Sequence, residues 1–230
     1  TTLVPLMKQP DRIGELAEMK GPVALAIGVF DGLHIGHQEV VRAAVEHARQ
    51  HHGTAVVLTF DPHPAAVLNP ARLPPRLITT AHQRRLGAEL GADRLLALSF
   101  TEAFARTTAE QFVQLLVDSC HPLGCVSVGY DWRFGMNGGG NVHLLMDAGA
   151  RHGFAVYGVP SVRVRDRVVS STWVREAVQT GNLRLAAELL GRPFGYFGRV
   201  AQGRKLGGQI GFPTANLPLE TQVHPPAGVY

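Results

Sequence analysis

The chain has few cysteines, few charged residues and no long apolar run. Cys120 and Cys125 are its two cysteines in 230 residues. No second pair of cysteines completes a zinc site, and a disulfide between these two is the alternative to two reduced thiols, which we expect. No stretch approaches the roughly 20 apolar residues that a membrane span requires, and no signal peptide opens the sequence. These absences predict a cytoplasmic protein with no membrane partner.

The net charge of the chain is also small. Charged residues make up 17% of the chain, and the net charge is +4. This small basic excess suits phosphorylated small molecules as partners. The basic cluster at 163–167 lacks the interleaved aromatic residues of a nucleic-acid surface, so we expect no nucleic-acid partner. An oligomer is compatible with the sequence but cannot be deduced from it.

Short apolar runs alternate with helical patterns over the first four-fifths of the chain. Candidate strands cover 23–29, 55–60, 94–99, 125–129 and 155–159. A helix with 3.6-residue periodicity follows the first strand, and a capping box at 107–110 precedes a later helix. This alternation predicts an α/β fold with a doubly wound parallel sheet, whose ligands bind at the carboxyl ends of the strands.

The pattern changes near residue 192. Glycines then punctuate short apolar segments, and no amphipathic helix is evident. We therefore predict one domain over 1–191 and the start of a separate β domain over 192–230. That second part is too short for a complete domain of this kind.

The most informative motif follows the first predicted strand, where His34 and His37 flank Ile35-Gly36. A strand, a glycine-rich turn and a helix N-terminus form an anion site, because free backbone N–H groups and the helix dipole converge there. Two histidines add donors for a phosphate group that gains charge during a reaction. The alternative is a pair of histidines at a helix start with no catalytic role. The preceding strand and glycines favour a nucleotidyl transferase.

A second cluster of donors lies at 170–175. Ser171 or Thr172 is expected to cap a helix that runs through Arg175 to Val178. Arg175 lies one turn further along and can reach the same anion. A capped helix with a surface arginine is common, so this cluster gains weight only if it faces the histidines.

Three further segments contain candidate binding residues. The loop 60–64 contains two prolines that fix an extended turn. In the loop after 129, aromatic residues beside glycines can receive a flat ring. Asp131 in the same loop can contact a base or ribose. For Trp132 and Phe134, packing in the core is the alternative. Thr214 and Asn216 are two apart, so in a strand both oxygens face one side and suit Mg²⁺.

These motifs, in this order, resemble the bacterial bifunctional riboflavin kinase/FMN adenylyltransferase family, the FAD synthetases. The resemblance runs through 28–38, 59–64, 128–135, 170–175, 211–216 and 228–230. It implies an N-terminal adenylyltransferase of the HxGH type and a C-terminal β-barrel flavokinase. In this family the kinase makes FMN from riboflavin and ATP. The transferase then joins FMN to the AMP part of a second ATP and releases pyrophosphate.

The resemblance also implies roles for individual residues. His34 and His37 would stabilise the ATP phosphates as catalytic residues. The implied ATP-binding residues are Gly28, Phe30, Asp31, Gly36, Asp131, Ser171, Thr172 and Arg175. The implied flavin-binding residues are Phe60, Pro62, His63, Pro64 and Trp132. Thr214 and Asn216 would contact Mg²⁺ and phosphate in the kinase part.

Two departures from the family pattern concern the kinase. Gly207-Gly208 stands where the family has Gly-Arg, which removes one positive phosphate contact. The kinase's general-base glutamate belongs beyond residue 230, so we do not expect the chain as given to phosphorylate riboflavin.

Other functions compete with this one. Pantetheine-phosphate adenylyltransferases share the Ser-Ser-Thr-x-x-Arg segment but are shorter and lack the Pro-Thr-Ala-Asn segment found at 213–216. Class I aminoacyl-tRNA synthetases share His-Ile-Gly-His but carry a Lys-Met-Ser-Lys-Ser loop, which this sequence lacks. A nucleotide-binding regulatory protein on the same fold is the non-enzymatic alternative.

Overall fold

The computed structural model describes residues 13–198, 200–201, 216–217 and 222–229. All five predicted strands are present. They are β1 (Val23–Ile27), β2 (Thr54–Asp61), β3 (Arg94–Ser99), β4 (Leu123–Gly129) and β5 (Ala155–Val159). β1 ends two residues before the predicted position because the chain turns there, and Phe30 adopts a φ of 51°.

The strands form one parallel sheet in the order β3-β2-β1-β4-β5. This order confirms the predicted α/β class with a doubly wound sheet. The chain first winds outward from β1 through β2 to β3, and then returns to the other side of β1 with β4. The reversal opens a crevice at the carboxyl ends of β1 and β4, where ligands of such sheets bind.

Helices cover both faces of the sheet. They are α1 (Ile35–Gln50), α2 (Pro64–Leu68), α3 (Thr80–Glu89), α4 (Glu102–Ala105), α5 (Ala109–Ser119), α6 (Val142–His152), α7 (Ser171–Gln179) and α8 (Leu183–Leu190). The short antiparallel strands β6 (Arg163–Val164) and β7 (Arg167–Val168) lie before α7. Among the described residues, no helix has both the length and the apolar character of a membrane span.

Alternation along the buried strands divides the core in two. Ala24 and Ala26 of β1 face a core shared with α1, α7 and α8. Val23, Leu25 and Ile27 face a second core, which is shared with α5 and α6. Because side chains alternate across a strand, β1 is fixed from both faces and its carboxyl end is held rigidly.

Two predicted helix caps are displaced by one residue or more. Ser170 caps α7, not Ser171 or Thr172, because Ser170 has extended backbone and its hydroxyl accepts the N–H of Trp173. Thr108 and Gln111 form the capping box of α5, one residue after the predicted box at 107–110. In both cases the cap is the last extended residue before the helix, which the letters alone do not identify.

Phe194 and Val223, which follow α8, pack against the first core. The Tyr196 hydroxyl donates to the carbonyl of Val223 at 2.8 Å, and Val223 is 2% exposed within the first core. Asn216 is exposed, and its carbonyl accepts the N–H of Ala201. Thr214 lies outside the described residues. The division at 191 and 192 remains a prediction.

Candidate active site

A cavity of about 310 Å³ occupies the crevice between β1 and β4. We call it the histidine cavity, because His34 and His37 both line it. Its wall combines the turn after β1, the first turn of α1, the turn after β4 and the segment after β5. The predicted residues in this wall are Gly28, Phe30, His34, Gly36, His37, Asp131 and Trp132.

His34 and His37 are held together at the start of α1. The backbone N–H of His37 donates to Nδ1 of His34 at 3.3 Å, so His34 is the N-cap of the helix. The two rings stack with centroids 3.6 Å apart. Gly36 permits this stacking, since a Cβ at that position would lie 3.3 Å from Cε1 of His34.

Burial keeps both rings neutral. It lowers the pKa of His34 to about 4, and it lowers the pKa of His37 well below the ordinary range of a histidine. Because Nδ1 of His34 accepts the cap bond, the proton of this neutral ring lies on Nε2. Nδ1 of His37 is buried and has no partner among the described residues. The pair therefore offers uncharged N–H donors beside a helix N-terminus.

Gly28 and Asp131 line the histidine cavity after β1 and β4 respectively. A Cβ on Gly28 would lie 3.1 Å from the ring of Phe30, so a side chain there would push on the turn. Asp131 is exposed, and its carboxylate accepts the hydroxyl of Ser161 at 3.2 Å. Ser161 also lines the cavity, although the sequence interpretation did not include it.

Asp31 and Arg175 form a buried ion pair next to the cavity. Nη2 of Arg175 donates to Oδ2 of Asp31 at 2.6 Å, with side chains 10% and 5% exposed. The same carboxylate accepts the N–H groups of Leu77 and Ile78, and Nε of Arg175 donates to the carbonyl of Pro75. These bonds join the turn before α1 to the segment before α3 and to α7.

The remaining residues of the second cluster reinforce this join. The Ser171 hydroxyl donates to the carbonyl of Asp31 at 2.7 Å, whereas Thr172 is exposed. The start of α7 thus contacts the turn that leads to the histidines. Asp31, Ser171, Thr172 and Arg175 are not among the residues that line the histidine cavity. Their contact with ATP remains a prediction.

A second, larger cavity of about 500 Å³ lies beside the first. We call it the aromatic cavity. Phe60, Pro64 and Trp132, three of the predicted flavin-binding residues, line it. The sequence interpretation missed these further members of its wall: Phe100, Phe104, Thr107, Phe112, Arg133 and Asn137.

The aromatic rings of this wall contact one another. Phe104 lies 6.2 Å from Phe60 and 6.1 Å from Phe112, between ring centroids. Trp132 stacks on Phe134 with centroids 4.8 Å apart. Such a wall suits a flat aromatic ligand, because offset and edge-to-face contacts hold a ring in a fixed plane.

Pro62 and His63 are not among the lining residues of the aromatic cavity. A cis peptide bond precedes Pro62. Nδ1 of His63 accepts the N–H of Ala65 and caps α2. Burial lowers the pKa of His63, and the charges of Asp31 and Arg175 also act on this ring, which places it on the side of the buried ion pair.

The two cavities meet at Val29 and Trp132, which line both. The two cavities are therefore neighbours on either side of these two residues. Among the described residues, no group of three His, Cys, Asp or Glu side chains is placed to hold a metal ion.

Comparisons with known proteins show the family of the chain. A family model described as FAD synthetase matches residues 16–173, and one described as riboflavin kinase matches residues 190–230. The bifunctional riboflavin kinase/FMN adenylyltransferase of Escherichia coli (strain K12) is 39% identical over 206 residues, which is 90% of this chain and 66% of the relative. The chain thus spans just under two thirds of that relative's length.

Two other relatives extend the comparison. The enzyme of the same name from Bacillus subtilis (strain 168) is 35% identical, over 94% of this chain and 68% of the relative. A crystal structure of a Streptococcus pneumoniae protein, described as a macrolide-efflux protein, superposes with a TM-score of 0.78. It is 29% identical and covers 96% of this chain and 72% of its own. By its family match and these relatives, the chain belongs to the FAD synthetase family.

Proposed function

We propose that this chain transfers the adenylyl group of ATP to FMN, giving FAD and pyrophosphate. The observation that carries the proposal is the junction of the histidine cavity and the aromatic cavity at Val29 and Trp132. One cavity suits a phosphate chain and the other suits a flat ring system. Their junction brings the ends of two such ligands together.

ATP is assigned to the histidine cavity. Its phosphates lie at the start of α1, where unpaired backbone N–H groups and the helix dipole favour negative charge. Gly28 and Gly36 allow a nucleotide to approach the backbone, and Asp131 and Ser161 supply polar partners for the nucleoside. The predicted triphosphate contacts of Ser171, Thr172 and Arg175 would need the triphosphate to extend towards α7.

FMN is assigned to the aromatic cavity. The isoalloxazine ring stacks among Phe60, Phe104 and Trp132, and the ribityl chain carries the phosphate across the junction. Pro64 completes the floor beneath the ring, while Pro62 and His63 shape the loop that carries Phe60 and Pro64. A flexible aliphatic acceptor such as phosphopantetheine would leave the aromatic wall largely unused, so the cavity disfavours that alternative.

The reaction is an in-line displacement. An oxygen of the FMN phosphate attacks the α-phosphorus of ATP, a new P–O bond forms, and the bond to the bridging oxygen of the β-phosphate breaks. Pyrophosphate leaves with the electron pair of that bond. The Nε2–H of His34 and the ring of His37 donate hydrogen bonds to oxygens that gain charge, which stabilises the transition state more than the bound substrate.

Magnesium enters as part of the Mg·ATP substrate, because Mg²⁺ is commonly bound through substrate phosphates. The predicted pair Thr214 and Asn216 belongs to the kinase part, where Thr214 is outside the described residues. The match at residues 190–230 supports riboflavin phosphorylation as a second activity of a protein that carries the whole flavokinase region.

The free thiols Cys120 and Cys125 support a reducing, cytoplasmic location.

Turnover tests the proposal. The purified chain is incubated with FMN and Mg·ATP, and FAD and pyrophosphate are quantified by chromatography and a coupled assay. Equal amounts of both products are expected, and none when phosphopantetheine replaces FMN. A chain that binds ATP but forms no FAD would instead support the nucleotide-binding regulatory alternative.

A further inference from the structure

We propose that Arg192 is a positioning residue for adenylyl transfer: its guanidinium holds the backbone turn that presents His34 to the substrate. This inference rests on the proposed function. Arg192 does not line the histidine cavity, so it acts through the turn and not by touching ATP. It lies just after α8, within the region that matches the riboflavin kinase model.

The guanidinium binds two consecutive carbonyls directly before His34. Nη2 of Arg192 donates to the carbonyl of Gly32 at 2.8 Å, and Nη1 donates to the carbonyl of Leu33 at 3.1 Å. Nη1 also donates to the carbonyl of Leu190 at 3.2 Å. A planar guanidinium presents several donors in a fixed fork, so it sets the spacing of these acceptors.

The turn needs such a partner. Gly32 and Leu33 both adopt positive φ, at 83° and 42°, a conformation that is strained for leucine. Leu33 is 2% exposed, so its carbonyl cannot rely on bulk water. Nε2 of Gln38 donates to the same carbonyl at 3.0 Å and to Leu190 at 2.7 Å. Arg192 and Gln38 thus fasten the turn to the end of α8.

The orientation of His34 depends on this turn. His34 follows Leu33 directly and must reach back to cap α1 through Nδ1 while stacking on His37. A displacement of about 1 Å at a reacting group reduces rate by about 100-fold in enzymes that depend on alignment. A residue of the downstream region therefore sets the geometry of the upstream site.

Electrostatics act in the same direction. After burial, the positive charge of Arg192 is a further cause of the lowered pKa of His34, and it also lowers the pKa of His82. Glu89 is the counter-charge that acts on Arg192. Arg192 thus favours the neutral form of His34, which the helix cap requires.

Three variants of the whole chain test the role: Arg192→Ala, Arg192→Lys and the control Arg184→Ala. Arg184 is an exposed residue of α8, so its loss removes a nearby positive charge without touching the turn. We expect kcat for FAD formation to fall about tenfold or more in Arg192→Ala. In Arg192→Lys kcat should fall less than in Arg192→Ala, because the ammonium still offers a charged donor, but it should stay below that of the unchanged chain because an ammonium cannot reproduce the fork. KM for FMN should stay within about twofold of the unchanged chain in both Arg192 variants. In the Arg184→Ala control, kcat and KM should both stay within about twofold.

A second readout does not depend on activity. Long-range ¹H–¹⁵N NMR of the histidine rings reports the tautomer of His34. We expect the Nε2–H signature in the unchanged chain and in the Arg184→Ala control, and an altered signature in Arg192→Ala. If Arg192→Ala fails to fold, kcat and the His34 signature are measured in Arg192→Lys, and these two results test the inference.

The two readouts separate this inference from the proposed function. If the unchanged chain forms no FAD, the proposed function fails, and an altered His34 signature in Arg192→Ala would still establish the tie to the turn. If the chain forms FAD but a folded Arg192 variant keeps kcat within about twofold, the inference is overturned. A fall in kcat with an unchanged His34 signature overturns it equally.

Discussion

The histidine cavity and the aromatic cavity share Val29 and Trp132 but are assembled differently. Much of the histidine cavity comes from one continuous stretch, since Gly28, Phe30, His34 and His37 lie within ten residues. The aromatic cavity gathers its rings from the ends of β2 and β3, from α4 and α5, and from the loop after β4. The histidine cavity is built around one local turn, with further wall residues after β4 and β5, whereas the aromatic cavity is assembled entirely by the tertiary fold.

This difference has a physical consequence. The local turn is held by polar bonds: the Asp31–Arg175 ion pair, the Ser171 hydroxyl and the Arg192 guanidinium. The aromatic cavity is held by contacts between rings and by the core beneath them. Polar ties are directional and depend on charge, whereas ring packing depends mainly on shape. Changes should therefore damage one cavity while sparing the other.

The largest expected effect comes from Asp31→Ala. It leaves the Arg175 guanidinium buried without its partner, which typically lowers the free energy of unfolding by about 3–5 kcal/mol. Urea denaturation measures this loss. The control Glu176→Ala breaks the exposed pair with Arg167, for which we expect a change below about 1 kcal/mol. Equal losses in the two variants would contradict a polar framework around the histidine cavity.

His37→Ala should break the chemistry without unfolding the chain. Loss of one donor to a charge-developing oxygen lowers kcat by about 100- to 1,000-fold. ATP and FMN should still bind, as calorimetry can show, because the donor contributes most in the transition state. His152→Ala, at an exposed position at the end of α6, serves as the control. Unchanged kcat in His37→Ala would remove this residue from the mechanism.

Phe104→Ala should affect the aromatic cavity alone. Phe104 contacts the rings of Phe60, Phe100 and Phe112, so its removal opens one side of the wall. Loss of an aromatic partner weakens ring binding by about 0.5–1.5 kcal/mol, or up to about tenfold in the Kd for FMN. Fluorescence quenching of FMN measures this. A matching loss of ATP affinity would show that the two cavities do not act separately.

The last effect concerns pH. The pKa of His34 is about 4 in the folded chain, against 6.5 as its ordinary value. Between these values the unfolded chain binds a proton that the folded chain does not, so stability falls as pH drops from 6.5 towards 4. Urea denaturation at pH 7.5 and 5 measures this loss in the free energy of unfolding. The loss should be smaller in His34→Asn, which retains a capping side chain, than in the unchanged chain.

The comparison also explains how far the sequence alone could predict the molecule. The strands were predictable because buried parallel strands are continuous apolar runs, and the histidine turn because its residues are adjacent in sequence. Phe100, Phe104 and Phe112 were missed because a buried phenylalanine in a helix or strand looks like any core residue. Only the topology shows that their rings line one wall.

The polar contacts that hold the turn could not be predicted from the sequence for a related reason. Asp31 and Arg175 were predicted to bind ATP, but nothing in the sequence indicates that they pair with each other across 144 positions. Arg192 gave no signal at all, since a single arginine after a helix is ordinary. The caps of α5 and α7 were misplaced by a residue because neighbouring Ser and Thr residues are chemically equivalent until the backbone chooses between them.

The most direct measurement is a crystal structure of the chain with FMN and a non-hydrolysable ATP analogue. We expect the isoalloxazine ring among Phe60, Phe104 and Trp132, and the triphosphate at the start of α1. The FMN phosphate should cross the junction at Val29 towards the α-phosphorus, with His34 and His37 in hydrogen-bond reach. A flavin ring bound in the histidine cavity, or phosphates remote from both histidines, would contradict it.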